Sequence, residues 1–272
     1  MVCLLLFALS LELLEKKTMP QIEEVDRSLK GVMGLAALDL TSGRMLAYNA
    51  DTVFAQASSI KIPIMMRVFE LINAGKLRLD QEIWFQQSDS VGGSGHLQGL
   101  LRKGPIKLML EESITAMIES SDNTATNKLI ELVGMRSVNE MLDSLALPKT
   151  RLQRVMLDGP AARRGDENIS TPREMVTLMK LLKGKPVEIL KLVDAGFRSV
   201  IPAHVPVAAK PGNVPGVHCE TGIVFLKGRP FALSVMTGYM DAGANPVPSL
   251  AKIVYEHFEK VGRSNAFGHK VD

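Results

Sequence analysis

Residues 54–63, with the sequence FAQASSIKIP, constrain this chain more than any other stretch. Apolar residues recur at helical spacing over 60–72 and Gly75 is a natural stop, so the pattern predicts a helix that begins near Ser58. Lys61 follows three residues later and therefore shares a helix face with Ser58. A serine at a helix start, with an amine in reach and a dipole that favours an oxyanion, has the chemistry of a nucleophile.

This pattern is weak by itself, because Ser-x-x-Lys recurs in the same chain. Ser249 and Lys252 repeat the spacing with nothing around them that suggests chemistry. A serine at a helix start is also more often a plain N-cap than a nucleophile. Further motifs are needed before Ser58 can be assigned to catalysis.

Two more motifs follow Ser58 along the chain. Ser-Asp-Asn at 121–123 lies between two predicted helices, where small polar residues also suit a turn and an N-cap. Lys-Pro-Gly at 210–212 ends a predicted strand, and Lys-x-Gly is common enough to recur at 260–262. The informative feature is therefore the order of the three motifs: a serine at a helix start, Ser-Asp-Asn between helices, and Lys-x-Gly on a C-terminal strand.

The composition excludes several classes of protein. The 272 residues carry a net charge of only +3 without a basic run, so nucleic acid is not an expected partner. Cys3 and Cys219 are the only cysteines, and the five histidines lack metal-binding spacing, so we expect no structural disulfide, no metal and no cofactor. With 46% hydrophobic residues, the chain can form one large domain or two intergrown ones.

Residues 1–18 have the character of a leader. Their apolar run is too short to cross a bilayer, so we expect no stable membrane span. The run resembles the core of a signal peptide but lacks a basic start and an A-x-A cleavage site. A start codon upstream of the true one at Met19 explains it equally well, and the segment leaves export undecided.

Strand patterns lie at both ends of the chain and helical patterns in its middle. They predict an α/β (α+β) fold, in which an antiparallel sheet from the N- and C-terminal segments is flanked by helices and an all-α lobe is inserted. The predicted lobes are an α/β lobe from 19–57 and 203–272 and an all-α lobe from 58–202. Besides the helices after Ser58 and the 121–123 motif, the predicted elements are strands at 34–40, 44–48, 205–210, 221–226 and 230–238 and helices at 20–29, 108–118, 137–145, 171–182 and 248–261.

Together the motifs resemble those of the penicillin-recognising serine hydrolases, and most closely the class A β-lactamases. The resemblance covers nearly the whole chain after the leader. It includes NTATN at 123–127, GSG at 93–95, and TRLQR at 150–154, which opens a long loop. It implies the antiparallel sheet, the all-α lobe and a site between the two lobes.

The resemblance also implies roles for the residues at matching positions. Ser58 would attack the lactam or amide carbonyl and become acylated. Lys61, kept partly neutral by burial and by neighbouring cations, would take the Ser58 proton. Ser121 would relay a proton to the leaving nitrogen.

Four further residues would hold the substrate, again by resemblance. Asn123 would hydrogen-bond the substrate's side-chain amide. Lys210, in the same motif as Gly212, would supply positive charge for the substrate carboxylate. The backbone N–H of Asn213 would join that of Ser58 to form the oxyanion hole.

Two departures from the family pattern concern product release and carboxylate binding. Class A enzymes carry a Glu in a Glu-x-x-Leu-Asn run that activates the deacylating water; here Met156 takes the Glu position and Pro160 the Asn position. A thioether cannot accept a proton, so Asp158 and Glu167 are the candidate bases, although both are more often solvated loop charges. Pro211 replaces the usual Thr or Ser and removes a hydroxyl that helps to bind the carboxylate.

The leading hypothesis is a serine acyl-transfer hydrolase of β-lactams or related amides, with slow deacylation. A D-alanyl-D-alanine peptidase or an esterase is an alternative, and so is a non-catalytic β-lactam or peptidoglycan sensor that stays acylated. All share the same motifs, so the sequence does not separate them. The expected partner is a small β-lactam or a D-Ala-D-Ala-type peptide. A monomer is expected, in a periplasmic or secreted location, with the cytoplasm as the alternative.

Overall fold

The computed structural model of the chain describes residues 2–265 and 267–271. The helices of this part are α1 (Val2–Ser28), α2 (Lys61–Asn73), α3 (Leu97–Leu101), α4 (Leu110–Ile118), α5 (Asn123–Val133), α6 (Met135–Ser144), α7 (Gly159–Arg164), α8 (Pro172–Leu181), α9 (Lys185–Leu190) and α10 (Val247–Gly262). The strands are β1 (Val32–Asp39), β2 (Met45–Tyr48), β3 (Phe54–Ala55), β4 (Glu82–Phe85), β5 (Ile106–Met109), β6 (Ile169–Ser170), β7 (Val207–Val214), β8 (Val217–Val224) and β9 (Phe231–Gly238).

Five strands form one antiparallel sheet in the order β2-β1-β9-β8-β7. Its first two strands come from the start of the chain and the other three from its end, so the predicted sheet of N- and C-terminal segments is confirmed. Nearly every residue of β1 and β9 is buried. Because successive side chains of a strand point to opposite faces, helices must cover both faces at the centre of the sheet.

Two sets of helices provide this cover. α1 and α10 pack on each other and on strands of the sheet, and Phe258 of α10 stacks on Phe231 of β9 with ring centroids 4.3 Å apart. α8 packs against β1, β8 and β9. The remaining helices of the middle segment, chiefly α2, α4, α5 and α6, pack on one another. The observed architecture is therefore the predicted mixture of a helix-covered antiparallel sheet and an inserted helical region.

At the start of α8, the sequence Thr171-Pro172-Arg173-Glu174 predicts a capping box, in which Thr171 and Glu174 cap each other's backbone N–H. Thr171 accepts the Glu174 N–H at 3.2 Å, as expected for an N-cap. The Glu174 carboxylate does not return to Thr171 but accepts the Lys149 N–H at 3.0 Å and the Thr150 hydroxyl at 2.6 Å. Only half of a capping box forms, because its acidic member fixes the start of the long loop instead.

The β7–β8 hairpin extends further than the sequence predicted. β7 continues to Val214 and β8 begins at Val217, so Lys-Pro-Gly lies inside a strand and not at its end. Pro211 and Pro215 obscured the hairpin, since proline usually breaks a strand pattern. β7 is an edge strand of the sheet, where a missing N–H on the outer side leaves the ladder intact.

The helical middle contains a small sheet that the sequence did not predict. β4 and β5 pair antiparallel, and Leu108 belongs to β5, so the helix predicted from 108 begins at Leu110. Glu112 fixes this start, since its carboxylate accepts the Met109 N–H at 2.7 Å. The lobe boundaries drawn between 57 and 58 and between 202 and 203 stay a prediction.

The helix predicted at 20–29 is the C-terminal part of the longer α1. Pro20 lies inside α1 on its exposed face. Proline has no N–H to donate to the carbonyl one turn earlier, and on this face water can bond to that carbonyl instead. Further towards the N-terminus, Glu15 forms an ion pair with Arg44 at 3.0 Å and the Thr18 hydroxyl lies 2.9 Å from Nδ1 of His257. Over 2–265 and 267–271, no helix combines the length and the apolar character that crossing a membrane requires.

Candidate active site

Ser58 lies in a tight turn between β3 and α2. Residues 57–60 form a single three-ten turn and α2 itself begins at Lys61, so the predicted helix start is displaced by one turn. Ala57 has φ of +45°, an uncommon conformation for a residue with a side chain, and it turns the chain sharply before Ser58. Ser58 is half-buried, whereas Ser59 is fully buried.

Gly212 brings the edge strand β7 against this turn. A Cβ on Gly212 would lie 2.5 Å from the carbonyl oxygen of Gln56 and 2.8 Å from the backbone nitrogen of Ser58. Ser59, which the sequence analysis did not single out, donates its hydroxyl to the Lys210 carbonyl at 3.3 Å. The glycine and this hydrogen bond together hold the backbone of Ser58 beside the strand that carries Gly212 and Asn213.

The Lys61 side chain is fully buried and surrounded by neutral oxygen atoms. Its Nζ donates to the Ser121 carbonyl at 2.7 Å, to Ser121 Oγ at 3.0 Å and to Asn123 Oδ1 at 3.0 Å. Burial lowers the pKa of Lys61 to about 6, and the charge of Lys210 acts in the same direction, while Asp122 opposes both. Lys61 therefore loses its proton far more readily than a solvated lysine. As an uncharged amine it has two N–H donors for these three oxygen atoms, and its lone pair can accept a proton.

The Ser-Asp-Asn motif divides into residues that face Lys61 and one that fixes their backbone. Ser121 has a positive φ of +55°, an uncommon backbone conformation for a residue with a side chain. The buried Asp122 accepts the backbone N–H groups of His96, Leu97 and Ala125 at 2.7 to 2.9 Å, which fixes the start of α5. Asn123 bridges Lys61 and the Gly92 carbonyl, to which Nδ2 donates at 3.0 Å, and its second Nδ2 hydrogen is left for another acceptor.

Lys210 provides a second buried amine at the same place. Its Nζ donates to the Pro211 carbonyl at 3.1 Å. Burial lowers the pKa of Lys210 to about 8, and the buried carboxyl of Glu220 opposes this change. Lys210 therefore keeps its positive charge at neutral pH, unlike Lys61. The two lysines are close enough for the charge of Lys210 to act on Lys61.

Asn213 follows Gly212 on β7, and its side chain contacts a residue of the neighbouring strand β8. Its side-chain oxygen lies 2.8 Å from Nδ1 of His218, the residue opposite it in the strand register. His218 is fixed in turn by Thr237, whose hydroxyl accepts the His218 N–H at 2.8 Å and donates to its carbonyl at 2.9 Å. The side chain of Asn213 is thus held in place by its contact with His218.

The two ends of the long loop, which TRLQR opens, are held together by backbone pairing. β6 at its end pairs with β3, which leads into the Ser58 turn. Arg151 and Ile169 exchange backbone hydrogen bonds at 2.8 and 3.1 Å, which close the neck of the loop. The Asn168 side chain bonds to the backbone of Gln153 and Arg154. The long loop and the Ser58 turn are therefore joined by one small two-stranded sheet.

Met156 is fixed in the loop by a residue from α5. Oδ1 of Asn127 accepts the Met156 N–H at 2.7 Å, and Nδ2 donates to the Met156 carbonyl at 3.2 Å. The Met156 side chain is buried in the hydrophobic core. Leu157, which follows, is 60% exposed with φ of +59°. Asn127 was part of the NTATN stretch, but its role as the partner of Met156 became visible only in the fold.

The two carboxylates considered as bases make hydrogen bonds within the loop. Asp158 caps α7, accepting the Ala161 N–H at 3.0 Å. Glu167 forms an ion pair with Arg154 at 2.8 Å. The structure therefore brings together Ser58, Lys61, Ser121, Asn123, Lys210 and Gly212, with Asn213 beside them on β7, while Asp158 and Glu167 are engaged in holding the loop.

Comparison with known proteins extends over most of the chain. A model of the "Beta-lactamase enzyme family" matches residues 17–258. The β-lactamase from Sphaerobacter thermophilus DSM 20745 is 25% identical, with a TM-score of 0.77 over 90% of this chain and 96% of that one. An ancestral class A β-lactamase, named for the last common ancestor of Gram-negative bacteria, is 26% identical with a TM-score of 0.78 over 88% and 99%.

A third solved structure is PBP-A, which is 25% identical with a TM-score of 0.79 over 91% of this chain and 96% of that one. A mutant of PBP-A has been solved as an acyl-enzyme complex with penicillin G. The match to the family model covers well over half of the sequence, and the structural matches agree with it. This chain therefore belongs to the β-lactamase enzyme family of serine hydrolases.

Proposed function

We propose that the protein opens β-lactam rings through an acyl-enzyme on Ser58 and releases the product slowly. The observation that carries this proposal is the buried, uncharged amine of Lys61, which follows Ser58 by one helical turn and is bonded to Ser121 and Asn123. A neutral amine three residues after a serine, at the first residue of the following helix, can supply the base that a serine nucleophile needs.

Acylation starts with transfer of the Ser58 hydroxyl proton to Nζ of Lys61. The Ser58 Oγ forms a bond to the lactam carbonyl carbon, and the carbonyl electron pair moves onto its oxygen. The backbone N–H groups of Ser58 and Asn213 stabilise this oxyanion. The C–N bond then breaks, and the ring nitrogen receives a proton through the Ser121 hydroxyl, which already accepts a hydrogen bond from Lys61.

The remaining residues orient the substrate. The second Nδ2 hydrogen of Asn123 is available to the carbonyl of an acylamide side chain. The Lys210 ammonium attracts the substrate carboxylate. Pro211 offers no hydroxyl or N–H to that carboxylate, so this family member relies on Lys210 for the contact more than a Lys-Thr-Gly protein does.

Deacylation is the step for which the family's general base is missing. It needs a base aimed at a water beside the acyl carbonyl, and the family position for that base holds the buried thioether of Met156. Asp158 or Glu167 can substitute only by leaving the α7 cap or the Arg154 ion pair. The proposal is therefore fast acylation followed by slow release, with these two carboxylates as the alternatives to test.

A D-Ala-D-Ala peptidase, an esterase or a sensor uses the same acylation chemistry. The missing loop Glu favours these alternatives, and the similarity to PBP-A, with its penicillin G acyl-enzyme, makes penicillin G the natural first probe. Parallel assays with a chromogenic cephalosporin, a D-Ala-D-Ala peptide and an ester separate them. We further propose a monomer located outside the cytoplasm, where such substrates occur.

Penicillin G should add one acyl group to the protein, on Ser58. Mass spectrometry of the intact protein and of its peptides checks this, and Ser58→Ala should show no adduct. Ser59 and Ser249 are internal controls, because one neighbours Ser58 and the other begins the second Ser-x-x-Lys pattern. Label on either of them contradicts the assignment.

Gly212→Ala should slow acylation on the order of 10²-fold, because a displacement of the oxyanion donors by about 1 Å is enough to do so. The added Cβ would push β7 away from Ser58. Gly99→Ala is the matched control, since a Cβ there has no atom within 4 Å. Second-order acylation rates for the two variants give the answer, and equal rates would show that the close approach is not needed.

Lys210→Ala should weaken anionic substrates about tenfold to a hundredfold, the size of a charge-assisted hydrogen bond. Neutral esters of the same scaffold should lose much less, because they offer no carboxylate. Apparent affinities measured for both substrates decide the point. Equal losses would mean that Lys210 has a structural role only.

Stopped-flow kinetics should show a burst of acylation followed by slow steady turnover. Loss of a general base slows its step on the order of 10²–10⁴-fold. Met156→Glu should speed release if Asn127 still holds the loop backbone. Fast turnover without a burst would show that another base operates, and Asp158→Asn and Glu167→Gln would then identify it.

A further inference from the structure

Gln56, which the proposed mechanism does not use, lies two residues before Ser58 and is completely buried. Its side-chain Nε2 donates to the Ile169 carbonyl at 2.9 Å, and its backbone N–H donates to the Asn168 carbonyl at 2.8 Å. Both acceptors belong to the end of the long loop. Gln56 therefore holds two successive carbonyls of that loop, one with its backbone and one with its side chain.

The backbone of Gln56 also contacts the turn that carries the nucleophile. The Gln56 carbonyl accepts the Ser59 N–H at 3.0 Å, and a Cβ on Gly212 would lie 2.5 Å from the same oxygen atom. Between Gln56 and Ser58 stands Ala57 with φ of +45°, a conformation that persists only where neighbouring contacts hold it. A displacement of Gln56 would therefore reach Ser58 through a single strained residue.

The side-chain amide of Gln56 is costly for the stability of the fold. Among the residues that the structure describes, Gln56 Oε1 is the one buried side-chain nitrogen or oxygen atom without a hydrogen-bond partner. The Ile169 carbonyl can only accept, so Nε2 must be the amide atom that faces it. Leaving a buried acceptor such as Oε1 unpaired costs the free energy of its lost hydration.

The partner of the amide does not need this hydrogen bond. The Ile169 carbonyl also accepts the Arg151 N–H at 2.8 Å, so it would keep a partner without Gln56. A methionine of similar length could fill the same space and leave no polar atom unpaired. Because local rules are broken chiefly where function requires it, the amide at this position indicates a task other than stability.

We propose that Gln56 is a positioning residue, whose side-chain amide ties the end of the long loop to the turn that presents Ser58. The inference rests on the proposed function, because it assigns Gln56 to the geometry of acylation. The β3–β6 pairing spans only two residues of each strand, so the amide adds a connection where this short ladder ends. Since Gln56 is fully buried, it acts through Ser58 and not on the substrate directly.

The test is acylation by penicillin G in Gln56→Met, with stopped-flow data separated into a binding constant and an acylation rate constant. The rate constant should fall about tenfold to a hundredfold, because a misplacement of the reacting groups by about 1 Å has an effect of that size. The binding constant should stay in place. The melting temperature should be unchanged or higher, since the variant leaves no buried polar atom unpaired.

Ser113→Ala is the matched control. Ser113 is also fully buried, and its hydroxyl donates to a backbone carbonyl, that of Met109, at 3.1 Å. It lies in α4, so this variant removes one buried side-chain hydrogen bond away from the turn and the long loop and should leave the acylation rate constant in place.

An acylation rate constant in Gln56→Met equal to that of the wild type overturns the inference, and so does a loss confined to the binding constant. Gln56→Leu repeats the comparison if the methionine variant fails to fold. Failure of both variants to fold would show that the amide serves stability, which also overturns the inference.

A wild type that penicillin G does not acylate rejects the proposed function instead. Labelling by a fluorophosphonate, in which Ser58 Oγ displaces fluoride from phosphorus, then takes the place of acylation, because this reagent requires only a reactive serine hydroxyl. Slower labelling of Gln56→Met than of the wild type still supports the inference, and equal labelling overturns it. A wild type that neither reagent labels overturns both proposals.

Discussion

The chemistry of the site depends on the burial of one amine. A buried ammonium loses several kcal/mol of hydration unless a close counter-charge replaces it. Lys61 has neutral oxygen atoms of Ser121 and Asn123 as its partners, while the carboxylate of Asp122 is directed to backbone N–H groups. Burial therefore lowers the pKa of Lys61 to about 6, and in the mechanism we propose this amine is the base. A carboxylate in direct contact would have restored the charge and removed that function.

A second buried amine, that of Lys210, keeps a higher pKa than Lys61. Lys210 is as well shielded from water as Lys61, and burial lowers its pKa to about 8, which the charge of Glu220 opposes. The two lysines thus differ in pKa, about 6 for Lys61 and about 8 for Lys210, although each has one acidic group that opposes the effect of burial: Asp122 for Lys61 and Glu220 for Lys210. Each charge state also affects the other, since the Lys210 cation lowers the pKa of Lys61 further. The proposed base and the proposed anion site are therefore coupled through their charges.

The long loop is held together by hydrogen bonds and an ion pair among its own residues. Its neck is closed by the Arg151–Ile169 backbone pair, and its polar side chains are used internally: Asp158 as a cap and Glu167 in an ion pair. Asn127 holds the backbone at Met156 while the thioether packs into the core. In the mechanism we propose, the groups for acylation lie on the sheet edge and near helix starts, and a base for deacylation would lie on the loop, so the fold can carry the first set without the second.

Local patterns in the sequence were sufficient for the antiparallel sheet, the helices after Ser58 and Ser121, the Thr171 cap and the identity of the three motifs. They failed where a tertiary contact overrules a local preference. Pro211 and Pro215 concealed the β7–β8 hairpin, because a proline can be tolerated on an edge that only the sheet order reveals. The pKa values of Lys61 and Lys210 and the hydrogen bond from Ser59 to the Lys210 carbonyl were decided by the fold alone, since burial and the distance between charges exist only once distant segments pack together.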